Sequence, residues 1–181
     1  MPERRLFDFA DPAAGGGWAA VDDVVMGGIS RSKLRPTGDG TAVFRGTVSL
    51  EHDGGFASVR SRAEDFALTG SDGLALRVRG DGRAYKLQLR TDAAFDGIVY
   101  QARFAPRSGT WETVRLPFTG FAPTFRGRVV DGAPPLDAGA VRRIGLLISD
   151  QQAGPFALEL AWIAAFEATD ATPPGGARPE S

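Results

Sequence analysis

Apolar and polar positions alternate over short runs of this chain, which is the period of a β-strand with one buried face. Leu74, Leu76 and Val78 occupy one side of the first clear run, and the other side carries two arginines. The same alternation recurs over residues 85–90 and 99–104. Because alternation with one polar face is typical of antiparallel sheets, the pattern predicts an all-β protein.

Turns rich in glycine and proline separate these runs at intervals that are typical of all-β chains. They divide the chain into nine predicted strands, at residues 6–9, 42–51, 56–61, 74–79, 84–91, 98–105, 111–117, 141–149 and 156–166. The turn signals predict that the second and third strands form a hairpin, as do the fourth and fifth, the sixth and seventh, and the eighth and ninth. We expect two antiparallel sheets packed face to face as a β-sandwich.

The rest of the chain shows no sustained helical period. Residues 123–139 form a long predicted loop, and loops of that length are often binding loops. The C-terminal residues are rich in Pro, Gly and Ala and have almost no apolar anchor, which is typical of disorder. We therefore predict one domain over residues 1–168 and a disordered tail over residues 169–181.

Composition excludes several classes of function. The 181 residues include no cysteine and one histidine, so a disulfide framework, a thiol nucleophile and a two-histidine metal site are all excluded. The formal net charge of −1 argues against bulk binding to nucleic acid or to an anionic membrane. No apolar run is long enough to span a membrane, and the first residues lack the apolar segment of a secretory signal. We expect a cytoplasmic protein with no cofactor, no metal, no nucleic-acid partner and no membrane insertion.

The candidate catalytic residues do not form a recognisable set. His52 precedes Asp-Gly-Gly at a predicted hairpin tip, where a polar turn residue is the ordinary explanation. Asp22 and Asp23 are adjacent, so in an extended chain their side chains point to opposite sides and do not converge on one bond. We favour a loop cap for this pair. Loop carboxylates near the two ends leave a calcium site as an alternative.

One predicted sheet face is unusually basic. If the strands at 74–79, 84–91 and 98–105 are neighbours, their polar sides carry Arg77, Arg79, Lys86, Gln88, Arg90, Gln101 and Arg103. Side chains on neighbouring strands lie about 5 Å apart, and like charges directly opposite one another destabilise a sheet. Such a face is either a solvated surface or a binding surface for an anionic partner, such as an acidic protein, a phosphate or a sugar acid.

A more specific signal comes from the order of short sequence blocks. Trp18 is followed by Val-Asp-Asp-Val-Val-Met-Gly-Gly-Ile-Ser at 21–30, and further blocks lie at 44–51, 54–60, 79–87, 111–118 and 154–163. These blocks resemble the signature of the complex I intermediate-associated protein 30 (CIA30) family. The resemblance implies a galactose-binding-like jelly-roll β-sandwich with a non-catalytic role. It also implies a link to assembly intermediates of NADH:ubiquinone oxidoreductase (complex I), which the mitochondrial members attend.

Charged residues within these blocks are candidates for binding. Buried, they would have to pair, and Asp81 with Arg83 or Asp23 with Arg60 are the candidate ion pairs. Exposed, they would line a binding rim. Together with the basic face, they make up the predicted binding residues Asp23, Arg60, Arg77, Arg79, Asp81, Arg83, Lys86, Gln88, Arg90 and Arg103.

We therefore predict a non-catalytic binding or assembly module. Its partner would be a protein, such as a respiratory-complex assembly intermediate, or a small polar or anionic ligand. One alternative is a carbohydrate-binding module, although Trp18, Trp111 and Trp162 lie in patterns that predict core positions and not exposed sugar platforms. A second alternative is a hydrolase that uses two carboxylates, such as Asp23 and Asp81.

Overall fold

The computed structural model describes residues 3–21, 30–51, 55–91, 97–125 and 128–167, which fold into two antiparallel sheets. The strands are β1 (Glu3–Asp8), β2 (Ala19–Ala20), β3 (Arg31–Pro36), β4 (Ala42–Val48), β5 (Ala57–Arg60), β6 (Gly73–Arg79), β7 (Tyr85–Arg90), β8 (Val99–Phe104), β9 (Trp111–Pro117), β10 (Ala122–Phe125), β11 (Arg128–Val129), β12 (Arg143–Ile148) and β13 (Gly154–Phe166). Short 3-10 turns at Pro12–Gly15, Phe118–Gly120 and Ala138–Ala140 complete the regular structure. The predicted all-β sandwich is confirmed.

The first sheet is built around the long strand β13. Its strand order is β3-β4-β13-β6-β9, and β1 also pairs with β13. Along one edge of β13, β4 pairs with residues 154–160 and β1 with residues 162–166, while β6 pairs along the other edge. One strand therefore joins β1, β4 and β6 in a single sheet.

The second sheet has the order β11-β10-β8-β7-β12-β5-β2. Its four central strands carry the alternation seen in the sequence. Leu87, Leu89, Ile144, Leu146 and Ile148 are fully buried and face the first sheet. Leu74, Leu76 and Val78 of β6 meet them from the opposite side and are equally buried. One continuous core therefore lies between the sheets.

The four predicted hairpins are wrong. β6 pairs with β13 and β9, whereas β7 pairs with β12 and β8, so the turn between β6 and β7 crosses from one sheet to the other. The connections from β4 to β5, from β8 to β9 and from β12 to β13 cross in the same way. The physical reason is that strands of both sheets show the same alternation and bury their apolar sides in one shared core. A turn between two such strands is therefore compatible with either a hairpin or a crossover.

The sequence also missed four strands. The two-residue strand β2 and the strand β3 were not predicted, and β10 and β11 fall within or beside the predicted loop at 123–139. These strands lie at or beside sheet edges, where polar residues and proline are tolerated, so their apolar period is weak. Asp22, Asp23, His52 and the predicted tail lie outside the described residues. Within the described ranges, no helix has the length and apolar character needed to cross a membrane.

Candidate binding face

The outward face of the second sheet brings polar side chains from four neighbouring strands together. We call this surface the second-sheet face, and it consists of Ser58 and Arg60 on β5, Arg143, Gly145 and Leu147 on β12, Lys86, Gln88 and Arg90 on β7, and Gln101 and Arg103 on β8. Because inward side chains fill the core, alternation leaves these positions facing outward. The face thus carries five cationic side chains and two amides.

Strand register places three arginines at one end of this face. Arg143 lies directly opposite Arg90 on the paired strands β12 and β7. On the other side of β12, Arg60 lies opposite Gly145, which is two residues from Arg143. The pKa of the Arg60 guanidinium is lowered to about 10 because the group is partly buried and because Arg90 and Arg143 repel its charge. We call these three residues the arginine triad.

The middle of the second-sheet face is formed by amides and a glycine. The side-chain Nε2 of Gln88 donates to Oε1 of Gln101 at 3.2 Å. Gly145 lies opposite both Gln88 and Arg60 and contributes no side chain. A Cβ atom at Gly145 would lie 3.0 Å from the backbone carbonyl oxygen of Val59, 3.5 Å from Cβ of Arg60 and 3.6 Å from Oε1 of Gln88. The close approach of β5 therefore favours glycine at this position, and the face has no side chain between Arg60 and Gln88.

The far end of the face is internally neutralised. Lys86 Nζ lies 3.1 Å from Oδ1 of Asp150 and donates to Oγ of Ser149 at 3.2 Å. Arg103 Nε lies 3.5 Å from Oδ2 of the same carboxylate. Burial opposes ionisation of Asp150, but the hydrogen bonds and charges of Lys86 and Arg103 outweigh it and lower the pKa of this carboxyl. Asp150 therefore forms ion pairs with both Lys86 and Arg103 at this end.

Two predicted face residues lie on the opposite side of the molecule. Arg77 and Arg79 belong to β6 and project from the outer surface of the first sheet. Arg79 forms an ion pair with Glu159 at 2.5 Å, and its guanidinium carbon lies 5.2 Å from the centre of the Trp111 ring. The prediction of one basic tract is therefore wrong, because it depended on the hairpin between β6 and β7 that the fold lacks.

Asp81 and Arg83 lie in the crossover between the sheets. Asp81 accepts hydrogen bonds from the backbone N–H of Arg83 at 3.1 Å and of Ala157 at 2.7 Å, and from the Tyr85 hydroxyl at 3.0 Å. The Arg83 guanidinium instead donates to the Gln152 carbonyl at 3.0 Å. The predicted side-chain ion pair between Asp81 and Arg83 is wrong, since the carboxylate binds backbone and phenol donors.

Of the predicted binding residues, the second-sheet face thus unites Arg60, Lys86, Gln88, Arg90 and Arg103. Asp23 and its predicted pairing with Arg60 lie outside the described residues. The prediction missed Arg143, Gly145, Leu147 and Asp150. The sequence pattern could have predicted the three residues on β12, because burial of Ile144, Leu146 and Ile148 requires the residues that alternate with them to face outward.

Two of the three tryptophans do not occupy the predicted core positions. Trp111 and Trp162 are half-buried on the outer surface of the first sheet, and the Arg5 guanidinium carbon lies 4.4 Å from the Trp162 ring centre. The register of β13 shifts between Leu160 and Trp162, so Leu160 faces the core and Trp162 does not. Trp18 does pack against the core, with its ring 5.1 Å from that of Phe7.

Within the described ranges, no group of three or more His, Asp and Glu side chains could hold a metal ion. On β5, β12, β7 and β8, no aromatic side chain points outward, because the aromatic residues of these strands, Tyr85, Tyr100 and Phe104, are buried. The second-sheet face therefore offers charged and amide groups for recognition.

Solved structures with the same fold include carbohydrate-binding modules. A family 11 module from a cellulosomal cellulase of Clostridium thermocellum superposes with a TM-score of 0.71 at 16% identity, covering 94% of this chain and 98% of that module. A point mutant of a family 29 module superposes with a TM-score of 0.54 at 14% identity, covering 94% of this chain and 96% of that module. At these identities the likeness shows the fold alone, and it confirms the predicted jelly-roll sandwich.

Sequence relatives carry a common name. A Drosophila melanogaster protein named complex I intermediate-associated protein 30, mitochondrial, is 31% identical over 87% of this chain and 61% of its own length. The Mus musculus protein of the same name is 32% identical over 82% of this chain and 52% of its own length. The chain therefore spans about half to three fifths of these relatives. The prediction of a cytoplasmic location is wrong, since the relatives are named mitochondrial.

The family model described as complex I intermediate-associated protein 30 (CIA30) matches residues 7–160. This match includes β2 to β12 in whole, β1 and β13 in part, and all of the second-sheet face. It agrees with the blocks identified in the sequence. The chain belongs to the complex I intermediate-associated protein 30 family.

Proposed function

We propose that this chain is a non-catalytic binding module that takes part in the assembly of complex I by contacting an assembly intermediate. The names of its relatives support the link to complex I. The second-sheet face supports a binding role, because four neighbouring strands place five cationic and two amide side chains on one surface. That surface is the observation on which the proposal depends.

A non-catalytic role is consistent with the state of the described carboxylates. Asp81 would be one half of a hydrolytic pair, but its two oxygens accept hydrogen bonds from three donors. Asp150 is held by Lys86 and Arg103. Both acids are therefore engaged in structural contacts, which argues against a hydrolytic role for Asp81.

Affinity purification from the native host tests the proposal. The test variant is Gln101→Glu with Arg103→Glu, which reverses the charge at one rim of the second-sheet face. The matched control is Thr113→Glu with Arg115→Glu, which makes the same change on the first sheet. The control is well matched because Arg103 and Arg115 have similar side-chain exposure, 60% and 56%, and each pairs with one acid.

We expect complex I subunits to co-purify with the wild-type protein and with the control. Recovery with the test variant should fall by about tenfold or more, because like charges placed against each other at an interface cost several kcal/mol. Equal recovery with both double variants would show that the second-sheet face is not the contact. Absence of complex I subunits from the wild-type purification would contradict the assembly role itself.

The carbohydrate-binding alternative retains one supporting observation, the half-exposed Trp111 and Trp162 on a sandwich shared with sugar-binding modules. Both rings are covered by arginine guanidinium groups on the first sheet and lie away from the second-sheet face. Fluorescence titration with a β-1,3-1,4-linked tetrasaccharide distinguishes the two functions. Saturable quenching that is lost in Trp162→Ala would favour the carbohydrate function over assembly.

A further inference from the structure

We propose that the outer surface of β3 and β4 binds an extended acidic segment of a partner protein. We call this surface the β3–β4 patch, and it consists of Arg31, Lys33 and Arg35 on β3 and Arg45 on β4. It belongs to the first sheet and is therefore separate from the second-sheet face. The inference goes beyond the proposed function, because it assigns a further binding surface and the chemistry of its partner.

The strand register brings the four cations together. Lys33 lies directly opposite Arg45 on the paired strands β3 and β4. Arg31 and Arg35 are each two residues from Lys33, so both are diagonal to Arg45. Opposite side chains start about 5 Å apart and diagonal ones about 7–8 Å apart, and all four side chains are exposed. Arg45 therefore has a cation opposite it and a cation on each diagonal.

The patch carries no acid to neutralise it. In the described part of the chain, no carboxylate lies within ion-pair distance of these four side chains. Arg31 donates to the Ser30 carbonyl at 3.4 Å, which leaves its charge in place. Glu159 on β13 is beside β4, but its Oε1 accepts from Arg79 and its Oε2 from the Thr41 hydroxyl at 2.6 Å. The positive charge of the patch is therefore available to a partner.

The outer surface at the other side of the same sheet shows the contrast. There, ion pairs neutralise three arginines: Arg5 with Asp8, Arg79 with Glu159, and Arg115 with Glu3. The first sheet thus separates a largely neutralised half around β1, β6 and β9 from a positively charged half at β3 and β4. An acidic partner would complement the second of these halves.

Protection of the sheet edge explains only part of the patch. β3 is the last strand of its sheet, and charged side chains on an edge strand discourage pairing with another chain. Arg45, however, lies on β4, which pairs with both β3 and β13 and so has no free edge. Like charges directly opposite one another destabilise a sheet, and Lys33 and Arg45 are such a pair. A bound acidic group would offset this repulsion.

The spacing along β3 indicates the shape of the ligand. Its cations alternate with inward residues, so neighbouring cations start about 7 Å apart. Side chains on one side of an extended peptide repeat at the same interval, so acids at every second position match the patch. None of the exposed large apolar side chains of the described residues lies on β3 or β4, whereas attachment to a membrane combines basic groups with apolar ones. These features favour an acidic peptide over a lipid surface.

Fluorescence anisotropy with labelled peptides and the full chain tests this surface. One short peptide alternates Glu with Thr, and a second has the same composition with its glutamates consecutive. We expect saturable binding, with the alternating peptide about threefold tighter, because consecutive acids of an extended chain point to opposite sides and meet fewer cations. Equal affinities, or no saturable binding of either peptide, would overturn the inference.

The test variant is Arg45→Glu, which places a carboxylate among the other three cations. It should raise the Kd of the alternating peptide by about tenfold, because one attraction becomes a repulsion. Its urea midpoint should not fall, since opposite charges at positions 33 and 45 favour the pairing of β3 with β4. The matched control is Arg128→Glu at an exposed position of β11, on the other sheet, and it should bind like the wild type.

Two further measurements identify a different site or partner. Loss of peptide affinity in Arg103→Glu but not in Arg45→Glu would assign the peptide to the second-sheet face and overturn the inference. Cosedimentation with phosphatidylserine vesicles that requires Arg45, in a protein that binds neither peptide, would assign the patch to a membrane surface and overturn it as well.

These outcomes are independent of the purification that tests the proposed function, because they use synthetic peptides. Equal peptide affinity of Arg45→Glu and the wild type would overturn the β3–β4 patch even if complex I subunits are recovered. Binding of the alternating peptide that requires Arg45, in a protein that recovers no complex I subunits, would support the patch and contradict the assembly role.

Discussion

At the scale of single residues, Asp81 links three parts of the chain through one carboxylate. It accepts from the backbone of its own turn at Arg83, from the backbone of β13 at Ala157 and from the Tyr85 hydroxyl on β7. Burial, followed by the charge and hydrogen bond of Asp81, raises the pKa of Tyr85. The phenol therefore stays protonated as a donor, and the pair fastens the crossover to both sheets.

Replacing Asp81 by alanine should lower the free energy of unfolding by about 2–4 kcal/mol, because it removes the acceptor of the buried Tyr85 hydroxyl and of two backbone N–H groups. Urea denaturation followed by circular dichroism measures the loss. Asp39→Ala is the matched control, since Asp39 is an exposed turn residue, and it should change stability by less than about 0.5 kcal/mol. A loss for Asp81→Ala as small as that of the control would mean that solvent replaces these hydrogen bonds at little cost.

At the scale of elements, the pairing of β3 with β4 depends on a close approach at Gly46. Gly46 lies opposite Ser32 of β3 on the inward side, between Phe44 and Val48. A Cβ atom there would overlap the carbonyl oxygen of Arg31. Backbone cannot move aside as a flexible side chain can, so the edge strand could not keep its present position.

Gly46→Ala should therefore destabilise the protein by about 2 kcal/mol or more and loosen β3 in particular. Hydrogen exchange of the β3 amides, compared with those of β7, measures the local effect. Gly120→Ala is the control, because a Cβ at Gly120 has nothing within 4 Å and should be tolerated. Equal protection of β3 in the variant and the wild type would show that the two strands can separate without losing their hydrogen bonds.

At the scale of the whole molecule, both sheets are stabilised by one core. Leu160 of the first sheet is fully buried and belongs to the same apolar cluster as Leu87 and Ile144 of the second. Neither sheet can bury its apolar face without the other. The two sheets should therefore unfold together.

Leu160→Ala should lower the free energy of unfolding by about 2–5 kcal/mol, through lost burial and the cavity left behind. The denaturation curves from far-ultraviolet circular dichroism and from tryptophan fluorescence should coincide, as in a single cooperative transition. Val129→Ala, at an exposed position of β11, should have little effect. Two separated transitions in Leu160→Ala would contradict a shared core.

Local patterns predicted a large part of the fold and some of the candidate site. The alternation of Leu87 and Leu89 with Lys86, Gln88 and Arg90 correctly assigned inward and outward sides on β7. The family blocks predicted the jelly roll. Trp162 was misplaced because a one-residue register shift in β13 reverses the alternation, and the sequence carries no clear sign of that bulge.

The sequence by itself determined which side chains face the core on strands with regular alternation, such as β7, and to which family the chain belongs, because alternation and motif order are properties of short segments. Only the tertiary structure decided which strands are neighbours. It separated Arg77 and Arg79 from Lys86 and Arg90, and it brought Arg60 and Arg143 together beside Gly145. The physical reason is that every strand of a sandwich packs its apolar side against the same core. The pattern of a single strand therefore does not specify the sheet to which it belongs. That choice follows from the packing of the whole chain.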